Sequence, residues 1–90
     1  MRELVVLFGG ASSERKVSVA SAQNVASLLE QADAWFWAPG GAIHVVDREA
    51  LLSHHRPFEV EFDPRNAPAW PSLQEALDDP RSRPLTFEEL

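Results

Sequence analysis

The sequence predicts an α/β fold organised around a parallel sheet. Three observations point there: a continuous apolar run, Leu4-Val5-Val6-Leu7-Phe8, closed by the pair Gly9-Gly10; an unbroken stretch of helical spacing after it; and a second apolar run, Ala34-Trp35-Phe36-Trp37-Ala38. A run that is apolar at every position suits a strand buried on both faces, as in the centre of a parallel sheet. At 90 residues and 44% hydrophobic content, the chain is one small domain or a piece of a larger one, and too apolar for a disordered tail.

Each element has its own signal. Leu4 to Phe8 is the first strand. Ser12 or Ser13 can cap a helix, and Glu14 places an acid in its first turn, at the positive end of the dipole. From Ser13 or Val17 to Gln31 the spacing is helical, with Val17, Ser21, Val25 and Leu28 near one face and Ala22 and Leu29 beside it. Val25, Leu28 and Leu29 are therefore expected to pack on the sheet. Ala34 to Ala38 reads as a strand, Pro39-Gly40-Gly41 as a turn and Ala42 to Val46 as a strand, giving a hairpin over 34–46. Asp47 can cap a short helix from Arg48 to His55 that turns Leu51 and Leu52 inward, with Pro57 as its stop. Phe58-Glu59-Val60-Glu61-Phe62 alternates and predicts a half-exposed strand. Residues 63–68 are loop. Ser72 to Leu77 predicts a short helix, with Ser72 as cap and Glu75 at the capping-box position. Pro84 to Leu90 starts like a further helix capped by Thr86. The order strand, helix, strand asks for another parallel strand, and none is legible after residue 62. The chain thus reads as truncated.

Composition excludes several functions. Eight Lys+Arg against fourteen Asp+Glu give a net charge of −6, without the basic face that a nucleic-acid backbone requires. No cysteine is present, which removes a disulfide framework, a zinc ribbon and a thiol nucleophile. No segment nears the roughly 18 to 20 apolar residues of a membrane span, and Leu4 to Phe8 falls short of the about 7 to 15 of a secretory signal. A cytoplasmic location is expected, with neither nucleic acid nor membrane as partner.

The chemistry concentrates in Leu7 to Ala22, where a strand, a glycine turn and a helix start follow one another. Glycines let a backbone come close to a ligand, and the free N–H groups at a helix start attract an anion. Glu14 in the same turn can pair with a cation. Together they suit a small zwitterion such as a free amino acid. Gly9-Gly10 can equally be a tight turn without a ligand, and Glu14 an acid that merely complements the helix dipole. A dinucleotide fingerprint is ruled out because the glycines are adjacent with no third following. A P-loop is ruled out because Lys16, the chain's one lysine, does not follow a glycine.

This stretch resembles the N-terminal signature of D-alanine–D-alanine ligases, an apolar strand followed by G-G-x-S-x-E-x-x-V-S-x-x-S-A. Gly9, Gly10, Ser12, Glu14, Val17, Ser18, Ser21 and Ala22 match it in register. The resemblance is sharp over roughly residues 4–29 and rests on element order beyond. It implies an ATP-grasp enzyme with a Rossmann-like N-terminal domain that precedes the ATP-grasp domains, here residues 1–90, incomplete. The implied reaction joins two D-alanines with ATP through an acyl phosphate, for peptidoglycan precursor synthesis. By the same resemblance Glu14 pairs with the ammonium of the first D-alanine and serves catalysis. Val17 lies near that substrate, and Gly9, Gly10 and Ser18 complete the substrate site. Lys16 departs from the family, where an acid is common. No H-G-x-x-G-E-D-G string occurs, and the family's ATP and Mg²⁺ residues belong to domains this chain lacks. The resemblance therefore implies an N-terminal piece that is inactive alone and without metal ligands, whose partners are D-alanine, the remaining domains and a second copy of the full-length enzyme. A ligase that uses D-lactate as second substrate, and a non-enzymatic amino-acid-binding module of the same shape, are the alternatives.

The remaining polar and aromatic residues carry no expected site. His54 and His55 are adjacent and diverge on a helix, which makes a poor metal pair. His44 is expected in the core or at a sheet edge, Trp35, Phe36 and Trp37 in packing, and Glu59, Glu61, Asp63, Asp78 and Asp79 in solvent.

Overall fold

The computed structural model describes residues 4–10, 14–29, 32–64, 67–82 and 85–89. Strand β1 (Leu4–Gly9) is apolar throughout, and Val5 to Phe8 are all buried. It pairs in parallel with β2 (Asp33–Trp37) on one side and with β4 (Thr86–Glu89) on the other. β3 (Ile43–Val46) returns antiparallel to β2 after the Pro39–Gly41 turn. The sheet has the order β3-β2-β1-β4 and is mixed: parallel about β1, as expected, and antiparallel where the expected hairpin over 34–46 adds β3.

Because successive residues of β1 face opposite ways, each face has its own core. Val6 and Phe8, with Ala34 and Phe36 of β2, meet helix α1 (Arg15–Leu28) and Leu51 of α2 (Arg48–Leu52). Val5, Leu7 and Trp35 meet Trp70 and Ala76, the latter on α3 (Leu73–Asp78). A short 3₁₀ turn (Pro80–Ser82) leads toward β4. The architecture is an α/β sheet covered on both faces. Among the described residues no helix is long and apolar enough to cross a membrane.

Four expectations need correction. Helix α1 buries Ser18, Val19, Ala22 and Ala26, not the predicted stripe. Val25 is half-buried against the core, but Val17, Leu28 and Leu29 are exposed, Leu28 at 75%. The helix lies close to the sheet, and small side chains at every fourth position allow that approach where larger ones would hold it off. It also ends at Leu28 rather than Gln31, which lies outside the described residues, as do the expected caps Ser12 and Ser13.

Second, residues 58–62 form no strand. Arg56 adopts φ 58°, and its carbonyl accepts from the N–H groups of Glu59 and Val60, so the chain turns here. Of the alternating apolar residues only Phe62 is buried, against Phe8 and Phe36 at ring distances of 5.7 and 5.0 Å. Third, residues 86–89 form a strand, not a helix capped by Thr86. The open edge of β1 offers a row of backbone donors and acceptors that outweighs a local capping signal, and this strand is the missing parallel neighbour. Fourth, α2 stops at Leu52, short of His55, and Asp47 makes no side-chain capping bond. The side-chain amide of Gln23 donates to the carbonyls of Leu51 and His54 at that end.

Other expectations hold. Ser72 caps α3, its hydroxyl accepting from the Glu75 N–H. His44 is buried beside Phe36. Trp35 and Phe36 pack in the two cores, and Trp35 lies 4.6 Å from Trp70, ring to ring.

The helix face sets a stability prediction. Val19→Ala removes buried methyl groups and costs about 1 to 3 kcal/mol, while Leu28→Ala changes stability by less than about 0.5 kcal/mol. Urea unfolding of both variants checks this, and equal costs would contradict the packing described.

Asp79 links acid stability to the second core. It receives hydrogen bonds from the Arg81 side chain, the Arg81 N–H and the indole of Trp70, and these hold its carboxyl well below the usual carboxylate range. A depressed folded pKa gives stability that is present above the unfolded value, about pH 4, and is lost as pH falls toward the folded value. Asp79→Asn is expected to lower the thermal midpoint at pH 7 and to flatten its decline below about pH 4. Thermal unfolding monitored by Trp fluorescence between pH 2 and 7 reads both effects.

Candidate functional site

The chain leaves β1 for α1 and β2 on one side, and the strand on the other side, β4, follows elements on the opposite layer. In open α/β sheets the crevice for ligands lies outside the carboxyl ends of the strands at such a reversal. Here that point is Gly9-Gly10, where the predicted motif sits.

Local geometry demands glycine there. Gly9 and Gly10 have φ of 98° and 104°, where side chains are strained. A Cβ on Gly9 would lie 2.7 Å from both Phe36 Cε1 and the Trp37 carbonyl oxygen. The Gly10 N–H donates to that carbonyl at 2.7 Å. The Gly9 N–H donates to Ser18 Oγ at 2.9 Å, so the turn is tied to both β2 and α1. Glycine is thus fully explained by packing at residue 9. At residue 10 a Cβ would meet only Trp37 Cε3 at 3.7 Å, so there the backbone angle alone selects glycine.

Glu14 occupies the cap position of α1 rather than its first turn. Its carbonyl accepts the Ser18 N–H, but its carboxylate makes no capping bond. Glu14 and Val17 are both exposed at this helix start. Ser18 is buried, its hydroxyl engaged with Gly9. The structure therefore gathers Gly9, Gly10, Glu14, Val17 and Ser18 around one helix N-terminus at the carboxyl end of β1. An exposed carboxylate at a helix N-terminus, whose backbone favours an anion, suits the two ends of a zwitterion.

Arg15 and Glu61 were not legible as part of this region. Arg15 Nε and Nη2 donate to the two Glu61 carboxylate oxygens at 2.8 and 2.7 Å, and Lys16 Nζ lies 3.8 Å away. The hydrogen bond raises Arg15 above its ordinary value and lowers Glu61 below its own. No sequence signal links the two, because they meet only through the fold. Beside them a cleft of about 470 Å³ is lined by Ser53, His54, His55, Glu61 and Asp63 among others. His54 Nε2 donates to the Val60 carbonyl at 3.0 Å, and its ring meets the edge of Phe62. Among the described residues no group of three or more His, Asp or Glu could hold a metal ion.

No family model matches the sequence, and no match is found among curated proteins. Among solved structures, the crystal structure of D-alanine–D-alanine ligase from Helicobacter pylori matches with a TM-score of 0.60 and 24% identity, over 76% of this chain and 21% of that one. The chain is similar in fold to part of that ligase. It spans about a fifth of the ligase's length. At this identity the likeness speaks for the fold.

The turn yields its own prediction. Gly9→Ala combines strain with a clash and costs about 2 to 4 kcal/mol. Ser18→Ala leaves the Gly9 N–H without its acceptor and costs about 1 to 3 kcal/mol. Urea unfolding midpoints measure both, with the Gly10→Ala midpoint expected to lie above that of Gly9→Ala because it lacks the clash.

Proposed function

We propose that this chain is the amino-acid-binding, Rossmann-like N-terminal part of an ATP-dependent ligase that joins two D-alanines. The observation that carries this is the coincidence of two likenesses, one of motif and one of fold. The G-G-x-S-x-E-x-x-V-S motif lies at the carboxyl end of β1, and the fold around it resembles part of a D-alanine–D-alanine ligase.

On this reading the Glu14 carboxylate pairs with the ammonium of the first D-alanine. The positive end of the α1 dipole favours the carboxylate of the substrate, whose negative charge it complements. Val17 offers an exposed apolar surface for the methyl group, and Ser18 acts indirectly by holding Gly9. The described residues do not fit a nucleotide and its metal. Among the described residues no group of three or more His, Asp or Glu could hold a metal ion, and Lys16 Nζ lies 3.8 Å from Glu61. By the resemblance of the motif, phosphorylation of the first D-alanine and attack by the second belong to the remaining domains of the enzyme. Synthesis of a peptidoglycan precursor in the cytoplasm is the corresponding physiological role.

The test is Glu14→Gln in the full-length enzyme, which keeps size and removes charge. A lost charge-assisted hydrogen bond contributes about 1.5 to 3 kcal/mol, so kcat/KM for D-alanine should fall roughly 10- to 150-fold. ATP affinity should stay nearly unchanged. Wild-type kinetics for D-alanine would reduce Glu14 to a partner of the helix dipole and overturn the proposal.

A further inference from the structure

Two consecutive glycines form the freest pair of residues a chain can contain, so a turn made from them must be held from outside. Three ties hold this one. The Gly9 N–H bonds to Ser18, the Gly10 N–H bonds to Trp37, and the Gly10 carbonyl accepts from Arg15 Nη1 at the longer distance of 3.4 Å. The first two come from elements adjacent in the chain order. The third comes from a side chain whose other nitrogens are already taken. Arg15 Nε and Nη2 are gripped by Glu61, on the irregular connection after α2. That connection is itself anchored, because Phe62 is buried between Phe8 and Phe36 and the Val60 carbonyl accepts from His54. One guanidinium thus spans the glycine turn and a segment far away in sequence.

We infer that Arg15 is a positioning residue that fixes the Gly10 carbonyl, and that Glu61 is the remote anchor that orients Arg15 for it. The fork of a guanidinium can satisfy a carboxylate with two nitrogens and still offer a third to a carbonyl. A lysine in its place offers a single point charge and cannot span both partners. The pose of the turn, and of Glu14 just before Arg15, then depends on the connection over residues 57–64. The ligand consequence rests on the reading of this turn as the D-alanine site. The mechanical claim does not.

The experiment compares ¹⁵N-labelled full chain with Glu61→Ala and Arg15→Lys, Glu61 being exposed. Both variants should shift the amide signals of Gly9 and Gly10 and speed hydrogen exchange at Gly10 about two- to fivefold, the range an exposed ion pair can transmit. D-alanine titrated into the same samples should bind about two- to fivefold more weakly than to wild type. If Glu61→Ala moves only signals of residues 57–64 and leaves Gly9 and Gly10 unchanged, the pair is a surface link and the inference is overturned. If the glycine signals move while wild type takes up no D-alanine, Arg15 keeps its positioning role and the ligand assignment fails. If D-alanine binds wild type and Glu61→Ala equally and the glycine signals stay in place, the assignment stands and the positioning role falls.

Discussion

The structure depends on the close approach at Gly9. There the end of β1 runs against Phe36 and the Trp37 carbonyl with no room for a Cβ. That approach lets the Gly10 N–H reach β2 and the Gly9 N–H reach Ser18. It thereby sets where α1 begins to cross the sheet. A helix brought in so near must present small residues, and Ser18, Ala22 and Ala26 supply them, with Val19 as the bulkier insert. Sheet pairing, helix entry and the choice of helix face therefore follow from one steric constraint.

The same junction is where chemistry is possible. A sheet that buries both faces leaves polar backbone groups accessible along its edges and at strand ends. At the carboxyl end of β1 the chain enters α1, and Glu14 and Val17 at its start face solvent. Most of the polar contacts elsewhere are occupied with architecture. Gln23 ties α1 to the end of α2, Arg48 donates to the Ala26 carbonyl, and Trp70 donates to Asp79. The Arg15–Glu61 pair is the exception in kind, because it reaches from the connection over 57–64 back to the glycine turn.

Legibility differs among the elements for physical reasons. β1 was readable because a doubly buried strand must be apolar at every position, a pattern that needs no knowledge of its neighbours. The turn at Gly9-Gly10 and the cap at Ser72 were readable because each obeys a backbone rule satisfied within a few residues. The buried face of α1 is not legible from bulk, since Ser18, Ala22 and Ala26 lie inside. In a helix pressed against a sheet, closeness of approach decides, and Val17 and Leu28 are left outside. The alternation of 58–62 resembled a strand, but it folds as a turn in which Phe62 alone enters the core.

By itself the sequence determined the α/β class, the central strand, the hairpin and the glycine turn before α1, since these are written in local spacing, whereas the candidate roles of Gly9, Gly10, Glu14, Val17 and Ser18 are what the resemblance of the motif implies. Tertiary structure alone decided that Thr86–Glu89 pairs beside β1 and that Glu61 grips Arg15. Each of these joins residues remote in sequence. An open sheet edge recruits a strand through its backbone, whatever the capping preference of the segment, and an ion pair across the fold leaves no periodicity to read.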